Sequence, residues 1–254
     1  MSKKINVLVI LFPGFNTLDM NGPLEVLTKS GTSDYFSVEV ASETEITTSY
    51  EGVHVQRHKV LDDHLVKSAP AAYDVLVVPG GNGDKVNEQA AKLEGAFMKL
   101  VATFAISPPR EFTPRVLLSI CTGAFFPGNL GIFNNRYCTT HWENYQKLFT
   151  AVTEASIRTH GQPGKVIKSR FVDSGLNEAG VRIISSGGIS CGLDASVYLV
   201  RLLVGEPEAI DVAEFLDYAW RQTDGVVFGE DFSDGRPSLA NGAPNRSLRN
   251  RSRL

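Results

Sequence analysis

VLLSICTGAFFPG (Val116–Gly128) is the stretch from which the fold of this chain is read. Val116 to Ile120 runs without a charged break into Cys121, as a strand buried on both faces does. Thr122-Gly123-Ala124 follows at once and opens a helix. A thiol at such a corner sits above the carboxyl end of a parallel sheet, where open α/β folds place their sites. Helix N–H groups facing the sulfur would favour thiolate, the reactive form. The other reading is a small buried hydrophobe, a common state of free cysteine. The corner alone does not separate the two.

Outward from it, other runs repeat the strand-then-glycine pattern. Ile5 to Phe12 is a short β-branched run closed by Pro13-Gly14. Lys3 and Lys4 ahead of it mimic a signal peptide, but no small-residue cleavage site follows, so it reads as the first buried strand. Thr17-Leu18-Asp19-Met20 then leads into a helix reaching about Lys29. Asp19 therefore lies on the same rim as Cys121, either as a helix-dipole partner or as a proton donor. Phe36 to Ala41 reads as a second strand. Thr44 to Val60 reads as a flanking ribbon, with His54, His58 and His64 splayed on it and its loop in no metal-binding pattern.

Tyr73 to Val78 is a strand ending in Pro79-Gly80-Gly81-Asn82-Gly83, where glycine lets backbone N–H groups approach a ligand. The spacing matches neither a phosphate-binding P-loop nor a dinucleotide fingerprint. Leu93, Phe97, Leu100, Val101 and Phe104 form one helical face, stopped by Ser107-Pro108-Pro109. Tyr137-Cys138 is a short strand, Glu143 to Phe149 helical, and residues 151–180 turn-rich with a ribbon near Arg170–Asp173. Val181 to Ser186 is the last main strand, closing on Gly187-Gly188-Ile189, with helices from Cys191 to Leu203 and around Val212–Ala219. His141 reads as a hydrogen-bonded structural residue near the site.

The 254 residues, 43% hydrophobic, are enough for one large α/β domain over residues 1–228. From Gly229 the composition turns to Gly, Ser, Pro, Asn and Arg, which predicts a polar, basic tail over 229–254. A net charge of −3 argues against general nucleic-acid binding, and no apolar run is long enough to span a bilayer. Three irregularly spaced cysteines form neither a disulfide framework nor a zinc pattern and suit a reducing compartment. The expected address is cytoplasmic, with Ser252-Arg253-Leu254 at the terminus resembling a peroxisomal Ser-Lys-Leu signal.

Four segments together resemble the DJ-1/PfpI superfamily: Phe12-Pro13-Gly14 with Leu18 to Pro23, Val78 to Gly81, Ile120 to Ala124, and Ser186 to Asp194. Thr139-Thr140-His141-Trp142 strengthens the likeness. Asp19, where other branches carry glutamate, with Cys121-Thr122-Gly123 and Thr-Thr-His-Trp, looks most like the isocyanide (isonitrile) hydratases. The resemblance implies a three-layer α/β sandwich with a mostly parallel, flavodoxin-like sheet and Cys121 at a nucleophile elbow. It implies hydration of an isocyanide to an N-formamide, with Cys121 as nucleophile, Asp19 as general acid and Thr122 beside the sulfur. Backbone N–H groups of Gly80, Gly81 or Thr122 would steady developing charge, and Gly187, Gly188 and Ile189 would line the floor. No metal or organic cofactor is implied; the partners are a small-molecule substrate and a second copy in a homodimer. Two rival functions stand beside it: a non-catalytic ligand or redox sensor, and a hydrolase or lyase acting on a carbonyl compound.

Overall fold

A computed structural model of the chain describes residues 4–29, 31–110 and 114–228. In chain order the elements are β1 (Ile5–Leu11), α1 (Thr17–Thr28), β2 (Phe36–Ser42), β3 (Ile46–Thr48), β4 (His54–Gln56), β5 (Lys59–Val60) and α2 (Asp63–Ala72). There follow β6 (Val75–Val78), α3 (Gly83–Ala90), α4 (Ala96–Ile106), β7 (Arg115–Ile120), α5 (Phe125–Asn129), β8 (Tyr137–Cys138) and α6 (Tyr145–Arg158). β9 (Lys165–Val166), β10 (Phe171–Leu176), β11 (Val181–Ser186), α7 (Cys191–Leu203), α8 (Glu206–Phe215) and β12 (Gly225–Val227) complete the fold.

Continuous apolar runs make strands here because both faces of the sheet are covered. Every residue of β6, β7 and β11 is buried. Among the described residues, one sheet of eight strands runs β12-β10-β11-β7-β6-β1-β2-β5. Its pairings are parallel except β10 with β11. The helices that flank it form two groups, α1 with α7 and α8, and α2 to α6 linked through α4 and α5. Phe12, Phe97 and Phe126 meet edge to face, with ring centroids 4.7 to 5.6 Å apart, and tie β1 to α4 and α5.

Several boundaries differ from the sequence reading, each for a local reason. Asp63 and His64 belong to α2, which Asp62 caps by accepting from the Leu65 N–H at 2.9 Å. Asn82 caps α3 by accepting from Asp84 and Lys85 N–H groups, so the glycine loop leads into a helix. α4 starts at Ala96 and leaves Leu93 exposed outside it. α6 runs through Arg158, well into the stretch expected to be turns, because Leu148, Val152 and Ala155 supply a buried stripe. Phe171 to Leu176 is a strand of the main sheet, and β12 pairs beyond it, so β11 is not the last strand. α8 ends at Phe215, short of Ala219. The expected tail over 229–254, with Ser252-Arg253-Leu254, lies outside the described residues.

The order of the sheet positions the site. β1, β6, β7 and β11 are successive neighbours β11-β7-β6-β1, and their parallel direction brings four carboxyl ends to one rim. The segments that follow those ends carry Asp19, Gly80-Gly81, Cys121-Thr122 and Gly187-Gly188-Ile189.

Candidate active site

β7 delivers Cys121 into a left-handed backbone conformation, φ 56°, which costs a non-glycine residue energy and turns the chain sharply. The turn over Cys121–Ala124 is 3-10 rather than α-helical, and α5 after it spans only five residues before its end. Two distant segments hold the corner. The Cys121 N–H donates to Gly187 O at 3.2 Å, and the Thr140 hydroxyl donates to Cys121 O at 2.8 Å. Gly123 is required by close packing, since a Cβ there would sit 2.3 Å from Val78 O. The thiol is nearly buried, its residue 6% exposed.

Asn16 caps α1, its side-chain oxygen accepting from the Leu18 and Asp19 N–H groups. That leaves the Asp19 carboxylate free of the capping role and turned inward. Asp19 is completely buried, and its Oδ2 accepts from the Gly80 N–H at 3.0 Å. The Cys121 thiol is near enough to oppose the rise in this carboxyl's pKa, while Oδ1 has no hydrogen-bond partner among the described residues. The sulfur and the carboxyl thus share one site.

Burial pushes the Asp19 carboxyl up to about 7; the Gly80 N–H and the Cys121 thiol resist, and the Glu51 charge adds to the rise. Burial also pushes the Cys121 thiol up to about 12, reinforced by the negative charge of Asp19. The N–H groups of Ile189 and Thr122 and the Thr122 side chain pull the other way and lose. The expectation that helix N–H groups make Cys121 a thiolate is therefore corrected. Burial first, and the Asp19 charge second, push the thiol towards its protonated form against the few N–H groups of a short 3-10 turn.

The expected roles of the glycines change too. The Gly80 N–H is bound to Asp19, and the Gly81 N–H donates to Thr122 Oγ1 at 2.8 Å, so neither points at a reacting atom. Backbone N–H groups of Thr122 and Ile189 are the ones acting on the sulfur. Gly187 supplies its carbonyl to Cys121 and its N–H to Arg170 O. Gly188 lies against His141, where a Cβ would come 2.1 Å from Cδ2. Ile189 has φ 48°, a rare state for a β-branched residue, and is 41% exposed at the rim. His141 caps the turn over Trp142–Asn144, its Nδ1 accepting from the Glu143 N–H at 3.4 Å, and so serves the structure around the site.

Two contributors escaped the sequence reading. Thr140, seen only as part of a motif, grips the elbow carbonyl. Glu51, at the tip of the β3–β4 ribbon, reaches the first turn of α1. His58 and His54 on that ribbon bond to Val40 N and Thr48 Oγ1, and among the described residues no group of three His, Cys, Asp or Glu side chains could hold a metal.

A family model described as the DJ-1/PfpI family matches residues 5–177. The isonitrile hydratase of Pseudomonas putida is 28% identical over 211 residues, covering 83% of this chain and 77% of that protein. Among solved structures, a ThiJ/PfpI family protein from Pseudomonas syringae superposes with a TM-score of 0.62 at 18% identity, covering 85% of this chain and 76% of that one. Schizosaccharomyces pombe DJ-1 gives 0.63 at 14% identity, covering 84% and 98%. At these identities the structures show a common fold.

Proposed function

The chain belongs to the DJ-1/PfpI family, and from that premise we propose that it hydrates an isocyanide to an N-formamide. The observation that carries the reading is that the Asp19 carboxyl and the Cys121 thiol, both buried, come together on one rim of the sheet. An isocyanide needs a nucleophile and a proton at the same terminal carbon, and a buried acid beside a thiol supplies both. Ionised Asp19 takes the thiol proton as sulfur bonds to the carbon, then returns it to that carbon, giving a thioimidate (R–N=CH–S–Cys121). Water adds to the thioimidate carbon, its proton passing through Asp19 to nitrogen. The C–S bond then breaks, the thiol regains the remaining proton, and R–NH–CHO leaves. The N–H groups of Thr122 and Ile189 are the donors placed to steady charge on the sulfur.

A high thiol pKa weighs against the redox-sensor reading, because oxidation follows thiolate character and exposure. A homodimer is implied by the family likeness. The test is a panel of isocyanides and α-oxoaldehydes given to purified protein, with N-formamide measured by mass spectrometry. Formamide should form, Cys121→Ala and Asp19→Asn should each abolish it, and a Cys121 adduct equal to the whole isocyanide should be trapped at early times. Turnover of oxoaldehydes alone, or full turnover by either variant, overturns the proposal.

A further inference from the structure

The β3–β4 ribbon does more than flank the sheet. The Gly14 N–H donates to Thr48 O at 2.9 Å, and the Tyr50 N–H to Phe15 O at 2.8 Å, fastening the ribbon to the loop before α1. Glu51, at the ribbon's tip, closes the attachment. Its Oε1 accepts from Asn16 Nδ2 at 2.6 Å; its Oε2 accepts from Thr17 N–H at 2.9 Å and from Thr17 Oγ1 at 2.6 Å. Asn16 is the residue whose side chain caps the Asp19 N–H. One carboxylate therefore grips both the capping residue and the first residue of the helix that presents the buried acid.

We propose that Glu51 is a positioning residue for Asp19: its carboxylate fixes the turn that carries the site acid and adds a second negative charge near it. The inference rests on the reading of Asp19 and Cys121 as the reacting pair. Glu51 itself stays charged: slight burial opposes this, but the bonds from Thr17 hold its carboxyl below the ordinary range. The groups acting on Asp19 are the Cys121 thiol from the elbow and Glu51 from the ribbon, and from α7 the Cys191 thiol feels the charge of Asp19. Glu51 is thus the ionised partner, and its effect has one sign. Removing its charge lets Asp19 ionise at lower pH.

The test reads the pair without any isocyanide. Cys121 alkylation by neutral iodoacetamide, followed peptide by peptide across pH, should rise as Asp19 gives up its proton. In Glu51→Gln, which keeps an acceptor oxygen but loses the charge, that rise should move to lower pH by about half a unit, the scale of a single partly screened charge. In the wild type, raising salt from about 0.02 to about 0.5 M should move the rise in the same direction, because an exposed charge is screened. The variant should show no such salt shift. Glu51→Asp, keeping the charge on a shorter arm, should titrate near the wild type while melting at a lower temperature. Coincident titrations for wild type and Glu51→Gln, or a wild-type titration indifferent to salt, overturn the proposal. A failure of formamide production with these shifts intact would instead sink the isocyanide reading and leave the role of Glu51 standing.

Discussion

Thr122 and Gly81 hold each other twice: Thr122 Oγ1 accepts from the Gly81 N–H at 2.8 Å and donates to the Gly81 carbonyl at 3.0 Å. The hydroxyl thereby ties the elbow after β7 to the loop after β6, the loop whose Gly80 N–H holds Asp19. Thr122→Val keeps the shape and loses both bonds, stranding two backbone groups in a nearly closed space. The expected cost is about 1–3 kcal/mol of stability, with slower turnover because the Asp19 support is loosened. Thr122→Ser should retain most of both. Denaturant unfolding and turnover of the two variants, side by side, check the difference.

Asp19 makes stability depend on pH in a definite direction. Its folded-state pKa, about 7, lies above the ordinary 3.8, so the folded chain binds the extra proton between those values. That contribution is fully present below pH ~4 and is lost as pH rises through ~7. Its ceiling is on the order of 4 kcal/mol. Asp19→Asn should therefore melt at a higher temperature than the wild type at pH 8, with the gap shrinking towards pH 4; a gap independent of pH would contradict the buried-acid assignment. Turnover runs the opposite way, climbing with pH through ~7 as Asp19 becomes able to take the thiol proton.

His141 and Gly188 form a size-matched pair. A Cβ at Gly188 would fall 2.1 Å from His141 Cδ2 and 3.0 Å from Nε2, so Gly188→Ala must displace the ring and the turn it caps. The expected destabilisation is about 1–3 kcal/mol. His141→Ala opens the space, so the double variant should be less destabilised than the two single losses added together. Thermal unfolding of all four proteins gives the coupling directly.

The architecture was legible in the sequence wherever one property decided the outcome. Buried parallel strands announce themselves by apolar runs, as residues 7–11, Val75–Val78 and residues 116–118 do, while Val181–Ser186 reads as a strand despite Arg182 and its serines. Strand-end glycines marked the rim because close approach there excludes a side chain, as Gly80, Gly81 and Gly123 show. What could not be read was the direction in which groups on that rim spend their hydrogen bonds. Gly80 and Gly81 look like free donors until Asp19 and Thr122 are seen to occupy them. The direction of the thiol pKa was hidden for a related reason: a helix start is visible in sequence, but the burial that outweighs it, and the Asp19 charge that adds to it, come only with the assembled sheet. Glu51 carried no signal at all, since an acid in a ribbon turn is ordinary until the turn is folded back onto Asn16.

Both backbone grips on Cys121 come from segments made after it, the Thr140 hydroxyl and the Gly187 carbonyl. The environment of the sulfur depends on β11 lying beside β7, which brings Gly187 and Ile189 to the corner. The geometry around the sulfur is therefore non-local: it needs Thr140 and Gly187 as well as the strand that carries Cys121.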